Sequence, residues 1–375
     1  MRLPKLAIIL SHPVQYYSPL FEVLSKELEL KVFYAFQPSA MEQGKQGFGK
    51  AFQWDVELLS GYDYEFLDNV AVSPSSASYK GCDTPNIGEK LRKYDPTHIV
   101  SFGWHLKMYR QALRYAKKYK VVMAVRGDSV VNSQSPLWKK LIKKLYYPFF
   151  LNQFDAFLSV GQRNRAYLKY YGVKDKRIIF SPHAVDQQFW KSERKSHKSF
   201  TFIWVGKFIS IKRPIDVIEA FKMFKNVTSD VTLKMIGSGI LHSACQEYID
   251  GVDGIELLGF KNQTALKSLY AESDCLILSS ESETWGLVVN EAFAAGLPAI
   301  VSDACGCSPD LIDNFSGHTY RMGDVTELSK KMTTIYNQNK NHDLFGKQQQ
   351  AIDAKNLTYS FERNIKSFKE LIENF

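Results

Sequence analysis

Along the chain, short runs that are apolar throughout alternate with stretches whose apolar residues recur at helical spacing. A first series comprises LAIIL (6–10), LKVFYA (30–35), HIVSF (98–102), VVMAV (121–125), AFLSV (156–160) and RIIFS (177–181), with amphipathic segments such as 17–27 and 105–119 between them. Strands apolar on both faces and separated by helices predict a parallel sheet covered on both sides. After Pro182 the chain turns polar, and KSERKSHKS at 191–199 reads as a solvated linker. A second series follows in FTFIWVG (200–206), TLKMIG (232–237), IELLG (255–259), CLILSS (275–280) and AIVSD (299–303). The pattern predicts an α/β chain of two facing, doubly wound Rossmann-like domains, residues 1–190 and 198–357. The last helical stretch, 358–375, has Phe361, Ile365, Phe368, Leu371 and Ile372 on one face and is expected to pack back on the first domain.

Ligands of such sheets bind beyond the C-terminal ends of the strands, so the chemistry is sought there. The stretch SSESETWGLVVNEAFAAGLPAIVSD, 279–303, reads as a strand exit, a loop with Glu283, a helix from about Gly286 to Ala295, a stop at Gly296–Pro298 and a further strand. Gly286 lets backbone amides approach a ligand, and a phosphate could sit on the amides of Gly286, Leu287 and Val288. Glu291, one and a half turns into the helix, would repel a phosphate but could accept hydrogen bonds from vicinal hydroxyls. Glu283 could meet hydroxyls on the other side of the phosphate. The bland alternative makes Glu283 a helix-start carboxylate and Glu291 a solvated position. Against it, Glu291 is flanked by Val288, Val289, Ala292 and Ala295 rather than by polar residues.

Lys207 follows a buried-type strand, and Lys212 and Arg213 precede a helix opening at Pro214. Lys207 and Lys212 are either solvated loop lysines or cations converging on one diphosphate, where they would stabilise charge as a bond to it breaks. Gly237-Ser-Gly239 is a further flexible strand end, but His242 occupies the third glycine position of a dinucleotide fingerprint. In the first half, SHPVQYYSPLF places His12 and Gln15 in the loop after the first strand, as ligand contacts or as turn-shaping residues. Arg126 and Asp128 follow VVMAV as candidate sugar or acceptor contacts, with a cap or turn residue as the alternative for Asp128.

Composition narrows the setting. The 375 residues are 45% hydrophobic and 23% charged, as in an ordinary globular protein, with a formal net charge of +9 that favours an anionic partner. Five cysteines, with Cys305-Gly-Cys307 not a CxxC pair, predict reduced thiols, no structural zinc and a cytoplasmic setting. No apolar run approaches the length of a membrane span, and the N-terminus does not read as a signal peptide. Within SPLWKKLIKKLYYPFFLNQF (135–154), Trp138, Leu141, Ile142 and Leu145 share a helix face flanked by lysines. That suits either an interfacial helix on anionic lipid, through residues 137–150, or core packing with a solvated lysine edge. The basic residues mark one helix rather than an aromatic-interleaved groove, so no nucleic-acid partner is expected.

ETWGLVVNE, with its Glu283-x7-Glu291 spacing, together with VGKFISIK, MIGSG and GLPAIVSD, resembles the retaining glycosyltransferases of family 4. SPHAVDQQFW at 181–190 is similar to the segment that closes the first domain in that family. The resemblance implies a GT-B fold with an interdomain cleft, and a nucleotide-diphosphate sugar donor, a UDP-sugar being favoured. It implies a hexosyl acceptor that is a saccharide or lipid-linked saccharide of a surface glycan, and a metal-independent front-face transfer without a cofactor. Under it Glu291 binds the ribose, Glu283 faces the sugar, Lys207, Lys212 and the amides after Gly286 hold the diphosphate, and base recognition falls near Phe260 and Lys261. Lys207 stands where the family usually has arginine, a charge without the bidentate fork. His-Pro-x-Gln-Tyr openings like that at His12 occur in one branch of the family, whereas the histidine many members carry near Arg126 is replaced here. The alternative reading is a catalytically silent nucleotide-sugar-binding subunit on the same scaffold.

Overall fold

The computed structural model describes residues 3–45, 51–131, 136–195 and 199–375. Residues 196–198 of the expected linker lie outside them. The chain divides into two compact units, one of residues 1–38, 57–183 and 361–375, the other of residues 39–56 and 184–360. Residues 39–45, 51–56 and 184–190, inside the expected first domain by sequence, fold with the second unit.

The first unit is built on seven strands: β1 (Lys5–Leu10), β2 (Glu29–Tyr34), β3 (Asp63–Phe66), β4 (His98–Phe102), β5 (Val122–Gly127), β6 (Ala156–Ser159) and β7 (Ile178–Phe180). They form one parallel sheet in the order β3-β2-β1-β4-β5-β6-β7. Alternate residues of one strand feed opposite cores: Ile9, Ile99 and Val125 join one, Ile8, Val100 and Ala124 the other. The apolar runs of the central strands follow from this, because neither of their faces meets water.

The second unit has β8 (Phe200–Val205), β9 (Val231–Ile236), β10 (Ile255–Gly259), β11 (Cys275–Leu278), β12 (Ala299–Ser302) and β13 (Gly317–Tyr320). Their order, β10-β9-β8-β11-β12-β13, is again wholly parallel. In both sheets the order reverses beside the first strand, between β1 and β4 and between β8 and β11. At such a switch point the loops leave in opposite directions and open a crevice at the strand ends. β3 and β13 are absent from the apolar pattern for one physical reason. Both are four-residue edge strands, DYEF and GHTY, half covered and correspondingly polar.

The helix Phe361–Asn374 belongs to the first unit, burying Phe368 and Leu371 beside Leu24 and Ile179. Polar contacts fix its register. Ser181 Oγ donates to Asn364 Oδ1 (2.7 Å), Asn364 Nδ2 to the Pro182 carbonyl (3.1 Å) and Ser367 Oγ to the Phe180 carbonyl (2.6 Å). Phe368→Ala should therefore leave a cavity and cost about 3–5 kcal/mol in denaturant unfolding. Leu357→Ala, at a 79% exposed position, should stay within about 0.5 kcal/mol of wild type.

Candidate functional site

The exits of β8, β9 and β11 are tied together by their backbones. Phe208 N donates to the Ser238 carbonyl (2.9 Å), and Leu241 N donates to the Phe208 carbonyl (2.8 Å). The approach is so close that a Cβ on Gly237 would stand 1.8 Å from the Gly206 carbonyl oxygen and one on Gly239 2.5 Å from that of Phe208. Both glycines have positive φ, +143° and +151°, so the position is closed to a side chain twice over. Gly237 N also donates to the Gly259 carbonyl (2.9 Å), which links this loop to the exit of β10. The exposed Lys261 lies two residues on.

The loop carrying Lys207 and Lys212 is fastened to β11. The indole Nε1 of the buried Trp204 donates to Ser279 Oγ (3.0 Å), and Ser279 Oγ donates to the Lys212 carbonyl (2.7 Å). Glu281 N donates to the Ile211 carbonyl (2.8 Å). Arg213, left-handed at φ +49°, pairs through Nε with Asp216 Oδ2 at 2.6 Å just before Pro214 turns the chain into the next helix. So held, Lys212 Nζ forms an ion pair with Glu283 Oε2. Lys207 is partly buried beside it. Burial, then the Lys212 charge, lowers its pKa, and the Glu283 carboxylate opposes the shift.

Behind Glu283 stands the segment that looked least informative in sequence. Gly306 N donates to the Glu283 carbonyl (2.9 Å) and Cys307 N to that of Trp285 (3.0 Å), so Cys305–Cys307 forms a short parallel pairing with Glu283–Trp285. A Cβ on Gly306 would lie 1.8 Å from the Thr284 carbonyl. All five cysteines are buried and none forms a disulfide. Gly286, at φ +108° and with a Cβ there set to stand 2.6 Å from Leu278 Cδ2, opens the helix Leu287–Ala294. The first-turn amides of Leu287 and Val288 have no carbonyl a turn back within the helix. Trp285 Nε1 donates to Asn290 Oδ1 (2.8 Å) and fixes the entry angle.

Glu291 is partly buried and stands outside the ion pair. Tyr270, fully buried on the helix Gln263–Ala271, donates its hydroxyl to Glu291 Oε2 (3.0 Å) and is met edge-on by Trp190 at 5.6 Å. Burial pushes the Glu291 carboxyl up to about 7, against the lowering effect of the Tyr270 bond. Tyr270, Ser279, Trp204 and the Cys305–Cys307 turn had no signal in the linear motifs, because each acts from a different element. Among the described residues, no group of three or more His, Cys, Asp or Glu forms a metal-holding cluster.

In the first unit His12 and Gln15 lie in the loop after β1. Ser11 Oγ is 2.9 Å from His12 Nδ1, the ring sits 5.4 Å from that of Phe36, and burial lowers the imidazole pKa to about 4. Arg126, only 1% exposed at the end of β5, donates to the carbonyls of Pro182 (2.8 Å) and Ser181 (3.4 Å) and to the Tyr17 hydroxyl (3.2 Å). Its guanidinium thus binds the chain itself and holds the exit of β7. Asp128 Oδ2 lies 4.0 Å from Nε2 of His183, whose pKa burial and then the Arg126 charge push well below the usual value. His183, on the segment SPHAV, stacks at 6.2 Å on Tyr17, and the residue pattern had not singled it out. The basic helix, Leu137–Leu151, buries Phe150 and Leu151 but leaves Trp138, Leu141, Ile142, Leu145, Tyr146 and Phe149 exposed, Phe149 at 78%. Core packing therefore does not account for that stripe. The side chains of Leu137 and Lys139 are outside the described residues. No described helix is long and apolar enough to cross a membrane.

Comparison with known proteins agrees with this geometry. Residues 186–351 match the family model described as glycosyl transferases group 1. The N-acetyl-alpha-D-glucosaminyl L-malate synthase of Bacillus anthracis is 27% identical over 61% of this chain and 62% of its own length. The UDP-Gal:alpha-D-GlcNAc-diphosphoundecaprenol alpha-1,3-galactosyltransferase of Escherichia coli is 24% identical over 66% of the chain and 67% of its length. The chain spans 26%, 62% and 56% of three such curated relatives, less than two thirds of each. The crystal structure of Anabaena HepE in complex with UDP superposes with a TM-score of 0.73 at 11% identity, over 99% of this chain and 100% of that one. The two parallel Rossmann-like sheets thus share the GT-B fold of the structure they superpose on, and residues 186–351 are similar to the group 1 glycosyl transferases.

Proposed function

We propose that the chain is a retaining glycosyltransferase that moves a hexosyl unit from a nucleotide-diphosphate sugar, with UDP as the favoured nucleotide, to a saccharide or lipid-linked saccharide. The observation that carries the reading is the Lys212–Glu283 pair with Lys207 beside it, set at the strand-order reversal in front of the Gly286 cradle. A diphosphate bound there meets two ammonium groups and the amides of Leu287 and Val288, and Glu291 accepts the ribose hydroxyls from within the same helix. The names of the Escherichia coli and Anabaena relatives, with their UDP-sugar donor and bound UDP, support the choice of nucleotide.

In the proposed transfer the bond from the anomeric carbon to the β-phosphate oxygen breaks, and its electron pair goes to the diphosphate. The acceptor hydroxyl oxygen bonds to the same face of the carbon, and its proton passes to a diphosphate oxygen. Lys207 and Lys212 stabilise the charge that develops on that leaving group, without a metal ion. The lowered pKa of Lys207 reflects a cation kept partly out of water, so an arriving diphosphate gains more from it than from a solvated lysine. Glu283 orients Lys212 and faces the sugar hydroxyls. In the first unit the loop of His12 and Gln15 and the side chain of Asp128 are the acceptor contacts of this reading, and Arg126 holds the exit of β7. The exposed stripe from Trp138 to Phe149, flanked by Lys143 and Lys144, seats the protein on an anionic lipid surface at the cytoplasmic face. A catalytically silent binding subunit is the alternative. It would bind nucleotide without releasing it from a nucleotide sugar.

Lys212→Met should lower the rate of UDP release from a UDP-hexose about 100- to 1000-fold with chelator present, folding being checked by its melting curve. No release from the wild-type protein, despite nucleotide binding, would select the silent alternative. UDP affinity, by calorimetry, should rise with pH through about 7, because ribose donors favour the ionised Glu291 carboxylate. In Glu291→Gln the part of the slope beyond the phosphate's own titration should vanish. Vesicles containing phosphatidylglycerol should co-sediment with the protein while neutral vesicles do not, and Leu145→Asp/Phe149→Asp should abolish the association.

A further inference from the structure

The exit of β10 is covered by a strap that sequence order assigns to the other half of the chain. Residues 51–56 fold with the second unit and meet the helix Gln263–Ala271 at its N-terminus. Asp55 accepts from the amides of Gln263 and Thr264 through its two carboxylate oxygens, each at 3.1 Å. Asn262, which caps the same helix through Gln263 N (3.1 Å), donates its Nδ2 to the Gln53 carbonyl at 2.6 Å. The carboxylate satisfies otherwise orphaned first-turn donors and lies at the positive end of the helix dipole, so the strap has one register on this helix. That register sets the Phe52 ring 4.7 Å from Phe260 and 5.0 Å from the edge-on Trp54. Phe52 and Trp54 both remain partly exposed.

This aromatic corner stands in a defined relation to the donor site. It follows Gly259, whose carbonyl accepts from Gly237 of the β9 exit loop (2.9 Å). The helix capped by Asp55 carries Tyr270, the partner of Glu291, at its other end. From Gln263 to Tyr270 is seven residues, roughly 10 Å along the axis, a distance comparable with the span of a nucleoside from its ribose hydroxyls to the far edge of its base. Resting on the donor reading above, we infer that the strap Phe52–Asp55 completes the nucleobase end of the donor site, Phe52 and Trp54 with Phe260 giving the base an aromatic wall beside Lys261. Asp55 is a positioning residue in this arrangement. It sets the wall without touching the nucleotide.

The test separates the base from the diphosphate. UDP binding is measured by calorimetry for wild type, Phe52→Ala and Asp55→Ala, with inorganic pyrophosphate as a base-free competitor of UDP. Phe52→Ala should weaken UDP about tenfold, the loss of one base–aromatic contact, while the competition constant of pyrophosphate stays unchanged. Asp55→Ala, which frees the strap but removes no aromatic group, should show the same selective loss, and UDP should quench Trp54 fluorescence only in the strapped proteins. UDP binding equal to wild type in both variants overturns the strap assignment alone. So does an equal loss for UDP and pyrophosphate, or tighter UDP binding, which would mean that the strap blocks the site. If the wild-type protein binds none of UDP, GDP and ADP, the donor reading falls and the strap assignment with it.

Discussion

A parallel sheet buried on both faces disfavours charge along its central strands. In the second unit β8 and β11 run side by side with no ionisable side chain other than the Cys275 thiol between Phe200 and Val205 or Cys275 and Leu278, and the first charged groups stand just past their ends. The desolvation cost of a charge within such a layer enforces this, and the backbone amides freed where strands stop make the strand ends the natural home for an anion. Lys207, Lys212, Glu283 and the Gly286 cradle are all consequences of where β8 and β11 end.

Converging cations at one spot repel each other, and the structure manages this by neighbours rather than by solvent. Glu283 pairs with Lys212, while Lys207, further from the carboxylate's hold, carries the depressed pKa. Two ammonium groups against one carboxylate leave these three residues with a net positive charge. Glu291 obeys the opposite logic. Its surroundings disfavour charge, a single tyrosine hydroxyl is its partner, and hydrogen-bond donors from a ligand would complete its shell.

Positioning these groups depends on backbone contacts that side chains would forbid. Gly237 and Gly239 let the β9 exit press onto Gly206 and Phe208, and Gly306 lets the Cys305–Cys307 turn back the Glu283 loop. Trp204 and Ser279 then set the height of the Lys212 backbone from beneath. None of these residues needs to meet a ligand. Each limits how far a catalytic-type side chain can move, which is what holds such a site to sub-ångström tolerance.

The sequence alone determined what repeats at short range. Eleven of the strands are legible as runs, because burial on both faces leaves a continuous apolar stretch, and the Glu283–Glu291 helix is legible because Gly286 and Pro298 punctuate it. Lys207, Lys212 and Glu283 were visible as charges at strand or helix ends, and Glu291 as a carboxylate on an otherwise apolar helix. Tertiary structure decided the rest. The edge strands β3 and β13 gain their partners only through long-range pairing, so their sequences carry half a signal. Arg126, a contact by sequence reading, became a buried strut because the carbonyls of Ser181 and Pro182 lie some fifty residues away in the chain yet beside it in space. Tyr270 reached Glu291, and Asp55 reached the helix at Gln263, across separations that no local pattern encodes. Periodicity reports which face of an element is dry. Which distant polar group meets which is fixed only when the sheets assemble.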